Sequence, residues 1–228
     1  MDERLTQKIR NDFDRIALHE QEGWNHNNHY HSFLLKQLPS HYENVLEIGC
    51  GTGLFSRLLA KRADSIIAID LSSKMIEIAK QRSRQYPNID FQVADILKWE
   101  FPIEKFDAIV SIATVHHLPL ENLLPHLKVA LKPGGKLIIL DLVEYESLQD
   151  RLSDLLAVPV NWIFQTFKNR HIKPSPEAAA AMREHLRTDK YLTISQARRI
   201  YTKFLKGVQV RKHLFWRYSA VWERSDRY

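Results

Sequence analysis

Short apolar runs alternate with helix-spaced apolar positions over the middle of the chain. Val45-Leu46-Glu47-Ile48 runs into Gly49 and reads as a buried strand entering a turn. Leu54, Leu58 and Leu59 follow at helical spacing, then Ser65–Ile69 as a second strand ending at Asp70. Met75, Ile76 and Ala79 mark a helix, Phe91–Val93 a strand ending at Asp95, and Phe106–Ser111 a fourth strand. Leu120–Leu131 is helical in pattern and stops at Pro133-Gly134-Gly135, and Lys136–Leu142 is a fifth strand. Strands separated by helix-length segments predict βαβ units and a parallel sheet covered on both faces.

The flanks read differently. Residues 1–42 form a polar helical lead-in, in which Tyr30, Phe33, Leu34 and Leu38 recur at helical spacing before Pro39. Residues 144–192 break the alternation and are mostly helical by pattern. A helix over Ile194–Leu205 ends before Gly207, and Val208–Glu223 closes the chain as an antiparallel strand pair, with Leu214–Trp222 strand-rich. The expected organisation is one domain: lead-in or lid at 1–42, core at 43–143, helical insert at 144–192, and last helix with closing strands at 193–228.

Five of the seven glycines sit in two clusters, Gly49, Gly51 and Gly53 after the first strand and Gly134-Gly135 before the fifth. Glycines after the first strand of a doubly wound sheet let the backbone turn and approach a ligand beyond the strand ends. A dinucleotide loop wants G-x-G-x-x-G, but position 54 is Leu, and Glu47 beside the loop would repel a pyrophosphate. A cationic ligand suits the loop better. Asp70 is suited to a ribose diol and Asp95 to the exocyclic amine of adenine.

VLEIGCGTG, IIAIDLS, VADI, FDAIVSIATVHHL and LKPGGKLIILDL stand in that order over about residues 42–143. Together they resemble the class I S-adenosylmethionine-dependent methyltransferases, and the end from Leu192 to Glu223 is similar to the last helix and strand pair of that fold. The resemblance implies an α/β, Rossmann-like, seven-stranded sheet, mostly parallel with an antiparallel last strand, with helices on both faces and an insert after the fifth strand. It implies S-adenosylmethionine as cofactor. Glu47, Gly49, Cys50, Gly51 and Gly53 would hold its methionine part, and Asp70, with Leu71 and Met75 beside it, the ribose. Ala94, Asp95 and Ile96 would hold the adenine, and Ser111 and Ile112 would line the methionine and the methyl group.

Methyl transfer from a sulfonium is an in-line displacement that needs alignment and exclusion of water, with a base only when the acceptor carries a proton. His117 and His116 follow the fourth strand, and are the candidate catalytic pair; the alternative is that His-His-Leu-Pro only shapes the loop. Trp24, His26, His29, Tyr30 and His31 in the lead-in, with Trp162 in the insert, are the candidate acceptor pocket. Five of 11 histidines lie between His19 and His41, but His26, His29 and His31 lack the i, i+4 spacing of a helical two-histidine site. With one cysteine in the chain, no metal is expected.

Charge adds an asymmetry. Residues 1–143 carry 17 Lys and Arg against 18 Asp and Glu, and residues 144–228 carry 16 against 9, so the net +6 resides in the last third. A solvated basic face is the expectation, and an RNA or protein substrate using that face is the alternative to a small-molecule acceptor. Cys50 alone excludes an internal disulfide framework. No apolar run reaches the roughly 18 residues of a membrane span, and the first residues lack a signal-peptide core, so a cytoplasmic enzyme without a membrane span is expected. Acceptor identity and oligomeric state are not written in the sequence.

Overall fold

A computed structural model of the chain describes residues 2–19, 25–146, 180, 182–184, 186 and 189–225. The strands are β1 (Tyr42–Ile48), β2 (Ala63–Asp70), β3 (Ile89–Val93), β4 (Phe106–Ile112), β5 (Leu131–Glu144), β6 (Leu192–Thr193), β7 (Gln209–His213) and β8 (Arg217–Glu223). They form an eight-stranded sheet in the order β3-β2-β1-β4-β5-β8-β7, with β6 paired to β5 off this path. β1 to β5 pair in parallel, while β8 lies antiparallel between β5 and β7. The seven-stranded path matches the expectation; the two-residue β6 adds an eighth strand.

The described helices are α1 (Glu3–Ala17), α2 (His31–Gln37), α3 (Leu54–Leu59), α4 (Ser73–Arg82), α5 (Leu120–Ala130) and α6 (Ile194–Phe204). Strand alternation divides the core between the two faces of the sheet. Leu46, Ile48, Ile109 and Ile139 pack with Leu123 and Leu127 of α5 and Ala197 and Tyr201 of α6. Their neighbours Val45, Ala108, Val110 and Ile138 pack with Leu34 of α2, Phe55 and Leu59 of α3, and Ile76 and Ala79 of α4. α6 starts at a capping box, in which the Thr193 side chain accepts from Gln196 N while the Gln196 side chain accepts from Thr193 N. No helix among the described residues is long and apolar enough to cross a membrane.

Two local expectations need correction. Pro133-Gly134-Gly135 is not a stop before the fifth strand. β5 already begins at Leu131, which pairs with Phe106, and the register shifts before Lys136 meets Ala108. The segment is a bulge within β5, held by reciprocal bonds in which Gly134 N donates to Arg224 O and Arg224 N to Gly135 O. Phe215 and Trp216, read as strand, form the turn between β7 and β8, with φ of 57° and 55°. Most of the insert expected at 144–192 lies outside the described residues.

Candidate functional site

Beyond the carboxyl end of β1, the backbone of residues 49–53 folds back over the end of β2. Gly49 N and Cys50 N both donate to Ile69 O, and Gly51 N donates to the Asp70 carboxylate at 2.8 Å. Gly49 has φ +73°, and a Cβ there would lie 2.0 Å from Thr114 Oγ1, so the loop after β4 occupies the space a side chain would need. Gly51 has φ +51° and open space where its Cβ would project. A bare backbone at that point is what close approach of a ligand requires.

Asp70 is fixed on both sides. One oxygen accepts from Gly51 N and the other from Ser72 N at 2.9 Å. Each oxygen keeps further acceptor capacity for a ligand. Burial pushes its pKa up to about 6, although the Ser72 and Gly51 amides oppose the shift. Glu47 is buried one layer deeper, 2% exposed, and accepts from Ser56 Oγ. Burial raises its pKa to about 8, with the neighbouring Asp70 adding to the rise. Burial also raises the Cys50 thiol well above its ordinary value, which makes it a packing group and not a nucleophile.

These groups border a cavity of about 250 Å3. Glu47, Gly49, Cys50 and Gly51 form its floor, and Asp70, Leu71 and Met75 one side. Ala94, Asp95 and Ile96 continue that side, and Ile112 and His117 belong to the wall after β4. Asp95 turns the chain there, its side chain accepting from Leu97 N at 3.0 Å. Ala113 in the same wall has φ +50°, a strained conformation for a residue with a Cβ. Gly53 and Ser111 do not line the cavity. Gly53 gives room to Phe91 and Ala79, and Ser111 Oγ bonds Ile48 O, tying β4 to β1.

The histidines separate. His117 reaches the cavity, with Phe13 edge-on at 5.7 Å. His116 stands behind it, its Nδ1 2.6 Å from Asp141 Oδ1. His31 lines the cavity, and burial pushes its pKa down to about 4, so it is neutral there. His26, His29 and Tyr30, expected in the acceptor pocket, instead grip the β7–β8 turn. His26 stacks on Phe215, His29 meets the same ring edge-on, and Tyr30 donates to Leu214 O. Trp24 and Trp162 lie outside the described residues.

Sequence reasoning missed part of the wall. Ile9 and Phe13 of α1 and Asn25, Asn27 and Asn28 also line the cavity. α1 docks through Phe13, Ile16 and Ala17 against Met75 and Ile78 of α4, and Asp14 accepts from Ser72 Oγ and Lys74 N. The spacing Ile9, Phe13, Ile16 was the available signal for that face. Arg217 is also absent from the sequence reading. It is 7% exposed, donates through Nε to Asn27 and through Nη1 to Phe215 O, and has Asp141 as its main charge partner.

Comparison with known proteins follows the same outline. A family described as "Methyltransferase domain" matches residues 45–135. An uncharacterised methyltransferase of Mycobacterium tuberculosis is 30% identical over 212 residues, which are 88% of this chain and 97% of that protein. A ubiquinone biosynthesis O-methyltransferase of Coxiella burnetii is 32% identical over 107 residues, 46% of either chain. Among solved structures, the DhpI–SAH complex matches with a TM-score of 0.66 at 19% identity over 100% of both chains. An S-adenosylmethionine-dependent methyltransferase of Aquifex aeolicus matches with 0.56 at 19% identity, over 98% of this chain and 99% of that one. Two buried acids, an open glycine backbone and apolar walls also fit S-adenosylmethionine, a cationic nucleoside with a diol. The chain is therefore an enzyme of the class I S-adenosylmethionine-dependent methyltransferase family, with S-adenosylmethionine as its cofactor.

Proposed function

We propose that this enzyme methylates an oxygen or nitrogen atom of a small-molecule acceptor. The observation that carries the reading is one cavity bordered at one side by Asp70 and Asp95 and at the other by His117, with Ile9, Phe13, Ile112 and Leu118 among its walls. Apolar walls with a few convergent polar groups suit a small molecule. The partial match to an enzyme named for O-methylation in ubiquinone biosynthesis favours oxygen.

When bound, the cofactor supplies an electrophilic methyl group on a sulfonium. Asp70 accepts from the ribose hydroxyls, Asp95 from the adenine amine, and the Ile96 backbone meets the adenine ring. Leu71, Met75 and Ala94 pack beside them. The loop of Gly49, Cys50 and Gly51 takes the methionine part, Gly53 turns the chain behind it against Phe91 and Ala79, and Glu47 lies below the loop, bonded to Ser56. Ser111 and Ile112 set the strand end beside the methyl group. His117 is the catalytic contact with the acceptor's reacting atom, and His116 backs it from Asp141. α1 and His31 exclude water, which an in-line displacement requires.

The chain works as one domain, with Trp24 and the 144–192 insert, Trp162 included, completing the acceptor side. A single buried cysteine favours the cytoplasm. The test is a methyl-transfer assay against a metabolite extract, read as the mass gain of one methyl group. Tight, salt-sensitive binding of tRNA or rRNA fragments, with no small molecule methylated, would promote an RNA substrate on the basic C-terminal face instead.

A further inference from the structure

We propose that His116, His117 and Asp189 form a binding site for a divalent transition-metal ion on the acceptor side of the cavity. The inference rests on the acceptor-side reading of His117 and gives it a chemical partner. One ligating atom from each of the three residues lies within 4.8 Å of the others. His116 Nε2 is 3.9 Å and His117 Nδ1 3.7 Å from the two oxygens of Asp189. Those separations are too long for hydrogen bonds. Two ligands sharing one ion at ordinary bond lengths sit roughly 3.0–3.5 Å apart, so the three side chains would have to draw together, by up to about an ångström, as the ion binds.

The surroundings resemble an assembled coordination shell more than a chance cluster. The three side chains are 5%, 8% and 5% exposed. Asp141 holds His116 through Nδ1 and thereby turns Nε2 toward Asp189. A carboxylate that fixes the far nitrogen of a ligating histidine is the usual support of such sites. Tyr191 donates to Asp189 Oδ2 at 3.0 Å and fixes that carboxylate in turn. Two imidazoles and one carboxylate suit zinc, iron(II) or manganese, with coordination positions left for a substrate.

Of the three, His117 alone lines the cavity, so an ion held by them would meet an acceptor on the His117 side. A hydroxyl oxygen bound there has a lowered pKa. Its proton would leave to solvent as the acceptor binds, before water is excluded; the oxygen lone pair would then form the new O–C bond while the C–S pair returns to sulfur, turning the sulfonium into a neutral thioether. The favoured acceptor is then an alcohol or phenol, and no side chain need take the proton.

The experiment uses full-length protein stripped with EDTA and titrated with zinc chloride by calorimetry, with metal content read by mass spectrometry. One zinc per chain is expected at micromolar affinity or better. Asp189→Asn and His117→Gln should each weaken it at least tenfold, and Asp141→Asn by about 10- to 100-fold without removing a ligand. His126→Gln, an exposed control whose ring bonds Asn122 O and stacks on Phe101, should leave it unchanged. Retained S-adenosylhomocysteine binding reports that each variant is folded. Failure of the wild type to take up one ion, or equal binding by Asp189→Asn and His126→Gln, overturns the site. Full methyl transfer by the chelated enzyme would overturn the metal and keep the small-molecule reading; stoichiometric zinc with no small acceptor methylated would do the reverse.

Discussion

Acidification from pH 7 to pH 5 should loosen the cofactor site through Asp70. Its pKa in the free protein is about 6, so the carboxylate is about nine-tenths ionised at pH 7 and about one-tenth at pH 5. Ribose hydroxyls donate to the ionised form. Affinity therefore falls as the pH drops through 6, by roughly tenfold at pH 5. Asp70→Asn removes the titrating group. It also leaves an amide that cannot accept from both Gly51 N and Ser72 N, and it loses the charge-assisted contact. That contact is worth about 1.5–3 kcal/mol, or about 10- to 150-fold in affinity at pH 7. Calorimetry with S-adenosylhomocysteine from pH 5 to pH 9 reads both effects. The wild type should weaken below pH 6 and the variant should be flat there. A wild-type affinity unchanged between pH 7 and pH 5, or the same slope in the variant, would refute the ribose assignment.

Three further outcomes are expected. Gly49→Ala should lower the melting temperature sharply, since its Cβ meets Thr114 at 2.0 Å, whereas Gly51→Ala should keep most stability and lose cofactor affinity; thermal melts with and without S-adenosylhomocysteine separate the two, and equal melts would undo the interlock. Arg217→Met removes the bonds to Asn27, Phe215 O and Trp216 O and frees the β7–β8 turn; leaving those buried acceptors unpaired costs roughly 1–3 kcal/mol, a fall of about 3–10 °C in a chain of this size. A melt within about 2 °C of wild type, below that range, would show that Arg217 holds little. Trp162→Ala should raise the acceptor's apparent KM or lower kcat with cofactor affinity intact; lost thermal stability with unchanged acceptor kinetics would make that segment core instead.

The parallel strands were legible because each is a short apolar run closed by a chemically distinctive residue, as Ile48 is by Gly49 and Ile69 by Asp70. Burial on both faces writes itself directly into such runs. Phe215 and Trp216 misled for the converse reason. Aromatic enrichment signals burial, and burial here is achieved in a turn under His26 and His29. Pro133-Gly134-Gly135 reads locally as a stop, while pairing with Arg224, 90 residues later, keeps it inside β5. Asp189 carried no signal at all. It stands 72 residues beyond His117 in sequence, and only the fold brings the two carboxylate oxygens beside the two imidazoles. The lead-in was recognised as helical, yet polarity masked that α1 presents Ile9 and Phe13 to the ligand.

That last arrangement makes the N-terminal helix part of the ligand's anchorage. α1 rests on the body through a small apolar patch with Met75 and Ile78, the Asp14 bonds at the start of α4, and ion pairs of Glu3 with Lys98 and Arg15 with Glu184. Both ion pairs are largely exposed and contribute little. A bound nucleoside adds its own surface to the Ile9–Phe13 side of this contact, and so holds the helix down. Trypsin would sense the difference. Arg4, Lys8, Arg10 and Arg15 all lie on α1. Cleavage among them should be fast in the free enzyme and slow once S-adenosylhomocysteine is bound, with product release and helix detachment sharing one rate.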